Sequence, residues 1–186
     1  MSENIKRNEE LSRKIDADVV LDCMANNEKL LSVLYEKYAV SFPEQADFWK
    51  ELAFEEKLHF GWISSLKRQM EEKGIYVDID RFKKEAVMSF QDHVKSCISQ
   101  MDDKDNTMNI VQALSTSLDI EQGMLERNFF EVFESDSVEV RHTLDNLRIN
   151  TEEHAGKVRR IWEQRKLTGS GGMDSASVFK NDGGSW

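Results

Sequence analysis

The chain has 186 residues, of which 39% are hydrophobic and 32% are charged, and its formal net charge at pH 7 is −10. This acidic balance disfavours nucleic acid and anionic membranes as partners, because both carry negative charge themselves. No run of about 18 apolar residues occurs and the N-terminus is polar, so we expect neither a membrane span nor a signal segment. The two cysteines, Cys23 and Cys97, form no Cys-x-x-Cys pair and are typical of reduced thiols in a cytoplasmic protein.

Few helix breakers interrupt the sequence. It contains one proline, Pro43, and its nine glycines fall largely in the C-terminal tail. Together with frequent Glu, Lys, Leu and Ala, this composition predicts an all-α protein. We expect a flexible or short helical N-terminus over residues 1–15, one helical domain over 16–166, and a Gly/Ser-rich flexible tail over 167–186.

The first pair of helices carries three ionisable residues on apolar faces. Steps of three and four between apolar residues predict helices over about 16–40 and 43–73. Glu28 lies in the apolar stripe of the first helix, and Glu56 and His59 lie in that of the second. The Glu-x-x-His spacing puts a carboxylate and an imidazole on one helix face, where both can bind one metal ion. Because helices joined by a short turn pack antiparallel, Glu28 is predicted to lie opposite Glu56.

A further helix, predicted over about 81–101, lengthens the crossover to a second helix pair over about 108–133 and 138–166. We expect Thr107 to cap the fourth helix and Asp136 to begin a capping box at the fifth.

The second helix pair repeats the pattern of the first. Glu121 lies in an apolar stripe, and a turn near residue 136 places it opposite Thr151, three residues before His154. A further Glu-x-x-His match, Glu139 to His142, is far from the height of Glu121, and we interpret it as a chance match.

This two-halved pattern resembles the ferritin-like superfamily, specifically the rubrerythrin-like di-iron four-helix bundles. Leu-Tyr-Glu-Lys-Tyr-Ala at 34–39 and Glu-Leu-Ala-Phe-Glu-Glu-Lys-Leu-His at 51–59 look much like that family's first two helices, and the resemblance covers about residues 16–165. It implies an antiparallel four-helix bundle with an extra helix in the long crossover. The residues that match the family's metal-ligand pattern are Glu28, Glu56, His59, Glu121 and His154.

Two departures from the family bear on the metal site. Thr151 stands where the family has a carboxylate, and no pair of rubredoxin-type Cys-x-x-Cys motifs is present. The resemblance implies iron, or manganese, as the bound metal. Three carboxylates against two divalent ions leave about one positive charge uncompensated, which is costly when buried. We therefore expect two ions, or one if the half that contains Thr151 is impaired.

Three functions stay open at this point. The first is a di-iron or mixed-metal oxidoreductase that reduces peroxide or oxidises Fe(II), with an external electron donor and peroxide or O2 as the oxidant. The second is a single-metal site with a binding or sensing role, and the third is a metal-free helical scaffold. Exposed aromatic residues such as Phe48, Trp62 and Phe130 favour a homodimer formed through a helix face.

Overall fold

The computed structural model describes residues 2–73, 84–105, 107–126 and 137–170, with side chains over 18–72, 88–105, 107–126 and 137–167. Every regular element in these ranges is helical, which confirms the predicted all-α class. The helices are α1 (Ser2–Ser41), a short 3-10 helix (Pro43–Gln45), α2 (Ala46–Lys73), α3 (Lys84–Asp102), α4 (Ile110–Glu126) and α5 (Val138–Ser170). The end predicted for the fourth helix, near residue 133, and the tail beyond residue 170 lie outside the described residues.

Helix α1 starts at Ser2 and continues through Asp16 to Ser41. It therefore includes the residues that the sequence sets apart as an N-terminal segment.

The start of α4 differs from the prediction. Asn109 Oδ1 accepts a hydrogen bond from the Gln112 backbone N–H at 3.0 Å, and the Asn109 N–H donates to Gln112 Oε1 at 2.9 Å. This reciprocal pair is a capping box, so the predicted cap at Thr107 is wrong. At the start of α5, the Ser137 hydroxyl oxygen accepts a hydrogen bond from the Val140 N–H at 3.4 Å. The predicted cap at Asp136 lies outside the described residues.

Helices α1 and α2 pack against each other and run antiparallel. Asp22, near the middle of α1, pairs with Lys67 near the end of α2. Tyr38, near the end of α1, packs against Trp49 near the start of α2. Helix α4 packs on α5, α3 packs on α1, and α2 contacts α5. Among the described helices, none combines the length and apolarity that a bilayer crossing requires.

The core between these helices is apolar except for a group of buried polar side chains. Trp49, Tyr35 and Tyr38 are its largest members. Among the residues whose side chains the structure describes, nine buried ones are polar or charged: Asn27, Glu28, Ser32, Glu56, His59, Ser117, Glu121, Thr151 and His154. Buried charges are stable only when they are paired or bound to a metal. These residues, in the middle of the helices, are therefore the candidates for a functional site.

Candidate metal centre

All five residues with the predicted ligand spacing are buried and belong to one cluster. Helix α1 supplies Glu28, α2 supplies Glu56 and His59, α4 supplies Glu121, and α5 supplies His154. Each side chain is at most 2% exposed. Four helices thus bring three carboxyl groups and two imidazoles together in a volume from which water is excluded.

The carboxylate of Glu56 lies between the two imidazoles. Its Oε2 atom is 2.9 Å from His59 Nδ1, and its Oε1 atom is 2.9 Å from His154 Nδ1. The two rings stack at a centroid distance of 5.2 Å. One atom from each of these three residues can be chosen so that all lie within 4.8 Å of one another, a separation that a single metal ion can span.

The remaining two carboxyl groups flank this centre on opposite sides. Glu28 Oε2 is 3.7 Å from His59 Nδ1, and Glu121 Oε1 is 3.8 Å from His154 Nδ1. The cluster therefore has two similar halves, each with one imidazole and one outer carboxyl group, and Glu56 belongs to both.

Several ligand atoms in the cluster lack the hydrogen bonds that burial normally demands. Within the described part of the chain, Glu28 Oε2, Glu56 Oε1 and both ring nitrogens of His154 make none. The short Glu56–His154 contact does not have hydrogen-bond geometry. A buried polar atom left unsatisfied costs on the order of 1–3 kcal/mol. A cation bound by these oxygens and nitrogens removes that cost, and carboxylate with imidazole suits iron or manganese.

The pKa values of the cluster show the same demand for positive charge. Burial raises the pKa of Glu28 to about 8 and that of Glu121 to about 7. Burial acts on Glu56 in the same direction, but contacts with His154 and His59 prevail and lower its pKa to about 2. Burial disfavours the charged form of both imidazoles, yet the neighbouring carboxylates raise the pKa of His59 to about 10 and that of His154 to about 9. Without a bound cation, the outer carboxyl groups and the imidazoles of the cluster therefore hold protons that supply the positive charge.

Thr151 lies three residues before His154 on α5, as Glu56 lies three residues before His59 on α2. It is 2% exposed, and its hydroxyl donates a hydrogen bond to the Leu147 carbonyl at 3.0 Å. The Thr151 hydroxyl proton is thus donated to a carbonyl of its own helix, one turn towards the N-terminus. The cluster has no carboxylate on α5 to match Glu56 on α2.

Tyr35 is a member of the site that the sequence analysis did not identify. Its hydroxyl donates a hydrogen bond to Glu121 Oε1 at 2.5 Å. Burial, followed by the charge of Glu121, raises the pKa of Tyr35 well above its usual value, which keeps the hydroxyl protonated as a donor. The sequence does carry a signal for this placement. Tyr35 lies seven residues after Glu28, which puts it two turns along the same helix face.

Glu55 is the second member that was missed. The sequence analysis did not single it out, but its Oε2 atom is 2.8 Å from His154 Nε2. Its two oxygens also lie 2.9 Å from Lys157 Nζ. Because α2 contacts α5, the flank of its apolar stripe meets a neighbouring helix as well as solvent.

The second Glu-x-x-His match does not join the cluster. Glu139 and His142 are exposed, and His142 Nδ1 contacts the Asn146 side-chain amide at 3.2 Å. This second match is therefore not part of the buried cluster.

Comparison with known proteins adds no family assignment. The chain matches no family model, no curated protein and no solved structure. The functional interpretation therefore depends on the buried cluster itself.

Proposed function

We propose that this protein is a ferritin-like metal protein that holds iron in the buried cluster and uses it to reduce peroxide or to oxidise Fe(II). The observation that supports this most directly is the position of Glu56, whose two oxygens each face one imidazole Nδ1 at 2.9 Å. The unsatisfied buried atoms of Glu28 and His154 point to the same kind of occupant, a cation. Manganese suits the same donors.

The fold that we propose with this function is an antiparallel four-helix bundle formed by α1, α2, α4 and α5, with α3 in the crossover. Support comes from the origin of the ligands, since each of these four helices supplies at least one cluster residue. The packing of α1 on α2 and of α4 on α5 has the pairing that such a bundle needs, and α3 packs on α1.

In this proposal the residues of the chain have distinct tasks. Glu28 with His59 would hold one ion, Glu121 with His154 would hold the other, and Glu56 would lie between them. When bound, two Fe(II) ions supply the two electrons that reduction of one peroxide to water consumes. Tyr35 fixes the orientation of Glu121 through its hydrogen bond. An external donor must return the electrons, because no rubredoxin-type cysteine motifs are present.

A site for one ion is the second candidate, and the compactness of the cluster favours it. Glu56, His59 and His154 alone offer three atoms within 4.8 Å of one another. Thr151 adds no charge to compensate a second ion. Such a site fits a binding or sensing role. A metal-free scaffold is the third candidate, but it leaves buried atoms of Glu28, Glu56 and His154 without hydrogen bonds.

Elemental analysis of the purified protein and anaerobic Fe(II) titration separate these candidates. Near two irons per chain, oxidised by peroxide or O2 and turned over with an added reductant, support the oxidoreductase. One iron without turnover supports the single-ion site. A chain that retains no Fe, Mn or Zn contradicts both.

A matched pair of variants controls this experiment. His154→Ala removes a cluster imidazole, whereas His142→Ala removes the exposed imidazole of the other Glu-x-x-His match. We expect iron binding to fall in the first variant and to stay at the wild-type level in the second. Equal losses in both variants would contradict the assignment of the site.

A further inference from the structure

A row of charged contacts connects solvent to the buried cluster where α2 meets α5. Lys157 Nζ is 2.9 Å from Glu51 Oε1 and 2.9 Å from both oxygens of Glu55. Glu55 Oε2 is in turn 2.8 Å from His154 Nε2. The exposed fractions of these side chains are 60% for Glu51, 26% for Lys157 and 27% for Glu55, against 1% for His154. We call Glu51, Glu55 and Lys157 the α2–α5 seam.

Aromatic side chains lie against the cluster at two other places, Tyr35 fully buried and Trp62 37% exposed. Between α1 and α4, the fully buried Tyr35 is bonded to Glu121. Beside His59, the ring of Trp62 packs at a centroid distance of 5.2 Å. At the seam the corresponding group is the ammonium of Lys157, which sits on a flexible four-carbon stem. A cation displaces it more easily than it displaces a packed aromatic ring.

A cavity along α5 adjoins the seam at Lys157. It has a volume of about 450 Å³ and is lined by Ile149, Glu152, Glu153, Gly156, Lys157 and Arg160. Two of these residues, Glu152 and Glu153, are acidic and two, Lys157 and Arg160, are basic, so the lining has no net charge. The cavity gives a hydrated ion room to reach Lys157 from solvent.

We propose that the α2–α5 seam is the route by which a divalent cation reaches the buried cluster, and that the cation displaces the Lys157 ammonium. This inference rests on the proposed metal-binding function. Glu51 and Glu55 exchange one positive partner for another, so neither carboxylate is left uncompensated during passage. Glu55 is the chain neighbour of Glu56, and the ion therefore moves from a partly exposed carboxylate to a buried one.

Stopped-flow binding of Co²⁺ to the metal-stripped full-length chain tests the route. We expect Lys157→Met to raise the association rate constant about tenfold, because no ammonium then competes for the carboxylates. Dissociation should accelerate as well, with unchanged stoichiometry, since Lys157 contacts none of the five cluster residues. Lys157→Arg keeps the charge and should keep slow binding. Glu51→Gln should slow association.

Lys67→Met is the matched control. Lys67 is also 26% exposed and also pairs with a surface carboxylate, Asp22 at 2.6 Å, but it links α1 to α2 away from the seam. Both variants change the net charge equally. Equal rates in Lys157→Met and Lys67→Met would overturn the route while leaving the metal site intact. Should wild-type protein bind neither Co²⁺, Fe²⁺ nor Mn²⁺, the proposed function fails too. If Lys157→Met does not fold, a wild-type rate in Glu51→Gln overturns the route.

Discussion

The two halves of the buried cluster differ at one position, and the difference changes what each half can do. In the first half, Glu56 lies three residues before His59 and contacts its Nδ1 at 2.9 Å. In the second half, Thr151 lies three residues before His154, and its hydroxyl bonds the backbone of its own helix. His154 consequently contacts carboxylates from α2, namely Glu56 and Glu55. The second half therefore shares Glu56 with the first and adds Glu121 as its own carboxyl group.

The largest effect is expected from Glu56→Gln, because Glu56 serves both halves. Removing one member of a buried ion pair costs on the order of 3–5 kcal/mol, and here two imidazoles lose their shared partner. We expect the variant to lose bound metal and to unfold at lower denaturant concentration than wild type. Elemental analysis and denaturant titration measure the two effects.

Glu152→Gln is the control for this change. Glu152 is about half exposed and pairs with Arg148 on the surface of α5. The same loss of one carboxylate should there leave metal content and stability close to wild type. Wild-type metal content in Glu56→Gln would contradict the central position of Glu56.

Thr151→Glu addresses the missing carboxylate directly. A second central carboxylate offsets the positive charge that two divalent ions leave, so we expect the second ion to bind at least about tenfold more tightly, or about 1.4 kcal/mol. The metal-free variant should be less stable than wild type, because it buries a further acid. Isothermal titration with Fe(II) or Co²⁺ gives stoichiometry and affinity. Thr151→Gln has a similar size without the charge and should not tighten binding.

The pH dependence of stability follows from the shifted pKa values. Glu28 and Glu121, with pKa values of about 8 and 7 against an ordinary 4.5, hold protons that the unfolded chain has lost. His59 and His154, at about 10 and 9 against 6.5, do the same at higher pH. Because the folded state binds more protons, the stability of the metal-free chain falls as pH rises from about 5 to 9. Glu56, lowered to about 2, contributes stability that is lost only as pH falls below about 4.5.

A bound cation reverses this dependence. Metal binding requires deprotonated carboxylates and neutral imidazoles, so it releases protons and strengthens with pH. We expect the gap in melting temperature between metal-loaded and metal-free protein to widen from pH 5 to pH 8. Glu28→Gln cannot ionise and should flatten the decline of the metal-free chain between about pH 4.5 and 8. A metal-free chain that becomes more stable over this range would contradict the assigned protonation.

The helical periodicity of a sequence shows which residues face the core. It does not show where an individual side-chain atom points or which helices pack together. A charged residue within an apolar stripe is directly visible, so Glu28, Glu56 and Glu121 stood out without a structure. Tyr35 did not, because an aromatic ring in a stripe conceals where its hydroxyl points. Glu55 did not either, because the period gives the inward face of α2 but not which flank meets α5. Those assignments required the packing of one helix on another.

The smallest effect on stability is expected from Tyr35→Phe, which affects the second half alone. The change removes the hydrogen bond to Glu121 and should cost about 1 kcal/mol of stability. Loss of a residue that orients a ligand typically weakens metal affinity by about 10–100-fold, and here only the ion beside Glu121 should be affected. Tyr38→Phe is the matched control, because Tyr38 is a buried neighbour on α1 whose hydroxyl makes no hydrogen bond within the described ranges. Titration of both variants with Co²⁺ separates the effect of losing the Tyr35–Glu121 hydrogen bond from the effect of replacing a buried tyrosine with phenylalanine. Equal weakening in the two variants would show that Glu121 keeps its orientation without Tyr35.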